Sequence, residues 1–99
     1  MEAISFVNGE YVPHREARVG IEDRGFQFGD SVYEVVLVCG GRMIDAEGHL
    51  VRLQRSMDRM RFVPNNVVTT LRGVMTELVT RNVLSEGMIY AQVTRGAWV

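Results

Sequence analysis

The sequence predicts an α+β domain, an antiparallel sheet with two helices packed on one face. Three observations point to it. Asn8-Gly9 separates two short runs that favour extended backbone, and Ser31–Cys39 (SVYEVVLVC) is rich in β-branched residues. Beyond them, apolar residues recur at three- and four-residue steps between Glu47 and Leu84, the spacing of an amphipathic helix. Strands first, then helices, then a closing strand is an α+β order.

The elements follow along the chain. Ile4-Ser5-Phe6-Val7 and Glu10-Tyr11-Val12 flank Asn8-Gly9, the pair best suited to the positive φ angles of a two-residue hairpin turn. Pro13 then stops ladder pairing. Residues 15–30 are glycine-punctuated and mixed, which predicts loop with one short strand near Arg18–Ile21. Ser31–Cys39 is the central strand, with Val32, Glu34, Val36 and Val38 on one face and Tyr33, Val35, Leu37 and Cys39 on the other. Gly40-Gly41 turns it into a second arm at Arg42-Met43-Ile44-Asp45.

A first helix is predicted over Glu47–Phe62, with Leu50, Leu53, Met57 and Met60 as its buried stripe. Pro64 ends the connection, and Asn65 or Asn66 caps a second helix running to about Leu84. Its inner face carries Val67, Leu71, Val74 or Met75, and Leu78. Ser85-Glu86-Gly87 turns into a last strand, Met88–Thr94.

Bulk properties narrow the function. At 99 residues the chain fits one domain, and 46% hydrophobic with 23% charged residues is ordinary for a soluble globular protein. A formal net charge of −1 argues against nucleic-acid binding. A single cysteine, Cys39, has no internal disulfide partner and points to a reducing, cytoplasmic setting. Neither a signal peptide nor a membrane-length apolar run is visible.

All 11 basic residues are arginine; there is no lysine. The run Thr94-Arg95-Gly96-Ala97-Trp98-Val99 would leave Trp98 and Val99 exposed, which predicts a further segment or a partner polypeptide.

Several residues are candidates for chemistry. Tyr33, near the start of the central strand, either presents its hydroxyl to a pocket or packs in the core. His49 and Arg52 lie one turn apart on the first helix. A guanidinium close to a helix N-terminus suits a phosphate, because the dipole and free amides add to its pull. The alternative is a solvated basic face continued by Arg55, Arg59 and Arg61. Cys39 within a valine run reads as a small core residue, and Glu22-Asp23 as a loop charge cluster. The two histidines have no companions at metal-ligand spacing.

In combination these residues say more. Three stretches are involved: Glu22-Asp23-Arg24-Gly25-Phe26-Gln27-Phe28-Gly29-Asp30-Ser31-Val32-Tyr33-Glu34-Val35, His49-Leu50-Val51-Arg52-Leu53, and Ile89-Tyr90-Ala91-Gln92-Val93-Thr94-Arg95-Gly96. In this order and spacing they resemble the small N-terminal domain of class IV (fold-type IV) aminotransferases, D-amino-acid aminotransferases above all. The resemblance runs from Val7-Asn8-Gly9 to the last residues.

It implies pyridoxal 5'-phosphate as cofactor and transamination between a D-amino acid and a 2-oxo acid. Arg52 corresponds to the arginine that grips the cofactor phosphate, and His49 to the histidine one turn before it. Tyr33 corresponds to the tyrosine that contacts the substrate carboxylate, and Val35 and Tyr90 to pocket-lining positions. The lysine that carries the cofactor would lie in a C-terminal domain beyond Val99, so this chain alone is expected to be inactive. Family members complete each site as homodimers. Related possibilities are a branched-chain or (R)-amine transaminase, or an aminodeoxychorismate lyase. Val32-Tyr33-Glu34-Val35 speaks against the branched-chain type, which tends to carry phenylalanine and glycine there. From another class, a free-standing α+β domain that binds a phosphate ligand or a partner would take the absent lysine at face value.

Overall fold

The opening hairpin closes as its sequence dictates. Asn8 and Gly9 both take positive φ, 50° and 89°, the turn whose twist matches that of paired strands. It joins β1 (Ile4–Val7) to β2 (Glu10–Pro13), with Val7 opposite Glu10. The computed structural model describes residues 2–63 and 66–98. Within it a three-stranded antiparallel sheet forms separately from this hairpin, in the order β4-β3-β5. Its strands are β3 (Ser31–Cys39), β4 (Arg42–Met43) and β5 (Glu86–Thr94). β3 and β5 pair along their whole length, from Ser31 opposite Thr94 to Cys39 opposite Glu86.

Two helices, α2 (Ala46–Arg59) and α3 (Val67–Arg81), cover one face of this sheet. Leu50 and Met75 pack on Val36, Val38 and Ile89, while Leu53 and Met57 enclose a second cluster with Phe62. Leu53, Met57 and Val36 are the deepest of these side chains, and burying each such side chain stabilises the fold by about 1.5–3 kcal/mol. No helix among the described residues is long and apolar enough to cross a membrane.

The elements depart from the sequence-based expectation at several places, and β5 begins at Glu86, inside the stretch predicted as a turn. Arg18–Ile21 is not a strand, because nothing pairs with it and Val19 and Ile21 stay exposed. Instead a 3-10 turn at His14–Glu16 is followed by α1 (Arg24–Phe28), a short helix bracketed by two caps. Asp23 accepts from the Gly25 amide at its start, and Gly29, at φ 67°, ends it.

Asp45 is not part of the second arm. It adopts a left-handed conformation and caps α2 by accepting from the Gly48 amide. Met60 leaves the buried stripe because α2 ends at Arg59 and the chain reverses at Arg61 (φ 59°); Phe62 fills the core in its place.

α3 stops at Arg81, short of Leu84. The Asn82 side chain takes the Leu78 carbonyl and Val83 turns to φ 47°. Asn82 also exchanges hydrogen bonds with Ile4, tying the opening hairpin to the end of α3. Asn66 occupies the N-cap position of α3 without a side-chain cap bond, and Pro64 and Asn65 lie outside the described residues.

Cys39 is likewise not in the core. The alternation of β3 carries it to the outer face at the strand's end, where it is exposed beside Glu86.

Candidate functional site

β3 carries candidate side chains on both faces, and its pleat decides which are grouped. On the helix-covered face, Glu34 is only 6% exposed. A buried carboxylate is costly unless hydrogen-bonded, and here α2 supplies three bonds to it. Arg52 Nε donates to Oε2 at 2.8 Å and Arg52 Nη2 to Oε1 at 2.9 Å, a forked pair. His49 Nδ1 lies 2.6 Å from Oε1. Because an ionised carboxylate only accepts, Nδ1 carries the proton and Nε2 is the ring nitrogen that Glu34 does not use. The helix spacing of three residues is what lets His49 and Arg52 share one carboxylate.

The electrostatics follow from this arrangement. The hydrogen-bonded Arg52 guanidinium holds the Glu34 carboxyl below the usual carboxylate range, against the opposing effect of burial and with help from His49. Glu34 in turn raises the affinity of Arg52 for its proton. The pair is lopsided: the Arg52 side chain is 64% exposed, so its positive end faces out while the negative end is buried. Among the described residues, Arg52 Nη1 has no hydrogen-bond partner.

The expected help from a helix N-terminus does not hold. Arg52 lies in the second turn of α2, and the Gly48 amide at the start is occupied by Asp45.

The opposite face of the sheet carries Tyr33, Val35 and Tyr90. Tyr33 is 60% exposed, which rules out the core-packing alternative. Its ring stacks on Tyr90 with centroids 5.4 Å apart and planes 17° from parallel. Val35 lies directly opposite Tyr90 in the ladder. The Tyr90 hydroxyl donates to Gln92 Oε1 at 3.2 Å, and Gln92 Nε2 donates to Ser31 Oγ at 2.8 Å.

The five sequence-predicted residues thus form two groups, His49 with Arg52 and Tyr33 with Val35 and Tyr90, on opposite faces of one strand. Between them β3 has an open edge. β4 pairs only with Val38 and Cys39, and Ile44 N–H reaches the Leu37 carbonyl. Among the described residues no strand lies beside 32–36 on that edge. By alternation the backbone groups of Tyr33 and Val35 face it, as those of Leu37 do.

Glu34 is the residue that sequence reasoning missed. Its signal was present: a carboxylate on the apolar face of a strand must find cations, and Arg52 and His49 were the candidates.

Glu22-Asp23 proves half structural, since Asp23 is buried and also accepts from the Thr94 hydroxyl. Near the end of the same loop, Asp30 holds Arg24 and Arg95 together through Oδ2, at 2.9 and 3.0 Å. Arg24 first and Arg95 next keep its carboxyl below the usual range.

No protein-family profile matches the chain. Individual relatives do. It is 41% identical over 90 residues to the D-alanine aminotransferase of Listeria innocua, an alignment that covers 91% of this chain and 31% of that protein. The chain thus spans about a third of the length of the curated relatives it matches. Its fold matches the T.th. branched-chain amino acid aminotransferase complexed with N-(5'-phosphopyridoxyl)-L-glutamate. That match has a TM-score of 0.88 and 21% identity over 100% of this chain and 35% of the other. A hypothetical aminotransferase from Mycobacterium tuberculosis in its PLP-bound form gives a TM-score of 0.82 and 28% identity, covering 92% and 33%.

Proposed function

For a chain related in sequence over nearly its whole length to D-alanine aminotransferases, and sharing the fold of class IV aminotransferases, we infer a role in pyridoxal-phosphate-dependent transamination. The reaction moves the amino group of a D-amino acid to a 2-oxo acid. Identity of 41% to a D-alanine enzyme favours this substrate class over the branched-chain one, where 21% identity speaks for fold alone.

One observation carries the reading: Arg52 is held by its inner edge on buried Glu34 and turns its remaining N–H groups outward. A fixed guanidinium with an exposed donor face fits a phosphate monoester. His49, on the same carboxylate, stands at the rim of that anion site. The donor set therefore suits the cofactor's phosphate end.

Pyridoxal phosphate, when bound, supplies the electron sink that makes a substrate Cα–H acidic. Everything this chain contributes is binding and orientation. Tyr33 presents a phenol hydroxyl from an exposed ring that Tyr90 braces from the side, a suitable donor for the substrate carboxylate. Val35 and Tyr90 form the apolar wall beside it. A ligand laid across the open edge of β3 would meet Arg52 on one face and Tyr33 on the other.

The anchoring lysine has to come from elsewhere, because this sequence has none. A lysine-bearing domain, in the same polypeptide or a second one, completes the site in this reading. A cytoplasmic homodimer accords with the lone cysteine and the family resemblance.

The test is amino transfer by a polypeptide that joins residues 1–99 to a lysine-bearing domain, offered D-alanine, L-alanine and L-leucine with 2-oxoglutarate. Transfer from D-alanine is expected, with none from residues 1–99 alone. Transfer from L-leucine and none from D-alanine would assign the branched-chain class instead.

A further inference from the structure

We propose that Glu34 is a positioning residue, a buried carboxylate that fixes the outward face of Arg52 and the ring of His49 before any anion arrives. The proposal rests on the phosphate role of Arg52 given above and adds a residue to which no role has been given. Glu34 is 6% exposed and receives three hydrogen bonds from two side chains of one helix. No other acidic side chain in the described residues combines that burial with two basic partners on one helix. Asp23, the other buried acid, caps a helix.

The geometry explains why the ion pair does not cancel the phosphate site. Glu34 takes Nε and one Nη2 proton, the edge of the guanidinium nearest the sheet. Nη1 stays on the far side, within a side chain that is 64% exposed. An anion approaching from solvent meets donors first, with the carboxylate shielded behind them. The rotamer freedom that a free arginine surrenders on binding is already surrendered here. The same carboxylate sets the His49 ring through Nδ1 and does not use Nε2. Acidic and basic groups on neighbouring elements are otherwise engaged: Asp30 holds Arg24 and Arg95, and Glu47 holds Arg72.

A Glu34→Gln, Arg52→Ala, double-mutant cycle in the assembled protein tests this, read as dissociation constants for pyridoxal phosphate and for pyridoxal. Glu34→Gln is expected to weaken pyridoxal phosphate about tenfold and pyridoxal hardly at all, with no further loss when added to Arg52→Ala. A merely structural Glu34 would weaken both ligands alike. An unchanged phosphate affinity in Glu34→Gln, with a loss in Arg52→Ala, overturns the positioning role and leaves the phosphate role intact. No loss in Arg52→Ala overturns the phosphate role itself.

Should Glu34→Gln fail to fold, Glu34→Asp, which withdraws the carboxylate by one methylene, is read in the same way. NMR of the wild-type protein gives an independent reading: Arg52 Nε–H should be protected and its Nη signals resolved. Freely averaging Nη signals would overturn the proposal.

Discussion

Tyr33 and Glu34, adjacent in sequence, send their side chains to opposite faces of β3, one 60% exposed and the other 6%. That single step of the pleat separates the Arg52 and His49 group from the Tyr33, Val35 and Tyr90 group, the proposed phosphate and substrate sides. It also assigns each residue a separable experimental signature.

Removing only the hydroxyl of Tyr33 tests the substrate side. In the completed enzyme Tyr33→Phe keeps the stack on Tyr90, so stability should hold within about 0.5 kcal/mol. The KM for the amino acid should rise about tenfold if the hydroxyl donates to the substrate carboxylate. Steady-state kinetics at varied D-alanine checks it; an unchanged KM would remove Tyr33 from carboxylate binding.

Gly25 tests the packing that seats the loop before β3. A Cβ built there would fall 2.3 Å from Thr94 Cγ2 and 2.9 Å from Thr94 Cβ, against a strand held by a full ladder. Gly25→Ala should therefore destabilise by about 1–3 kcal/mol. Urea denaturation followed by circular dichroism measures it, and a midpoint equal to wild type would show that α1 can move aside.

Acid should unfold the domain through its paired carboxylates. Glu34, Asp30 and Glu47 are all held below the ordinary range, chiefly by Arg52, Arg24 and Arg72 respectively. A carboxylate with a depressed folded pKa adds stability above its unfolded value of about 4, and that stability fades as pH falls through the folded value. The urea midpoint should be level from pH 8 to about pH 5 and drop below about pH 4. Glu34→Gln should shrink that drop. A midpoint that stayed level down to about pH 3 would mean these pairs contribute nothing to folding.

Much of this fold was legible because it is written in local chemistry. The Asn8-Gly9 turn, the β-branched run of β3 and the Leu50, Leu53, Met57 stripe each report one physical preference directly. What escaped depended on pairs. α1 required Asp23 and Gly29 to be recognised as two caps around five residues, and Met60 lost its core place only because the chain reverses at Arg61. Cys39 looked like core by composition, yet strand alternation sends it outward.

The candidate site divides in the same way. His49 and Arg52 were visible as a helix pair, but the carboxylate that unites them sits on another element and is seen only in three dimensions.

The most direct measurement is a calorimetric titration of pyridoxal phosphate into the assembled protein and its Arg52→Ala variant, with pyridoxal as the ligand lacking phosphate. If Arg52 grips the phosphate, the variant should lose about tenfold to a hundredfold in affinity for pyridoxal phosphate and keep its affinity for pyridoxal. Equal affinity of both proteins for pyridoxal phosphate would contradict the assignment.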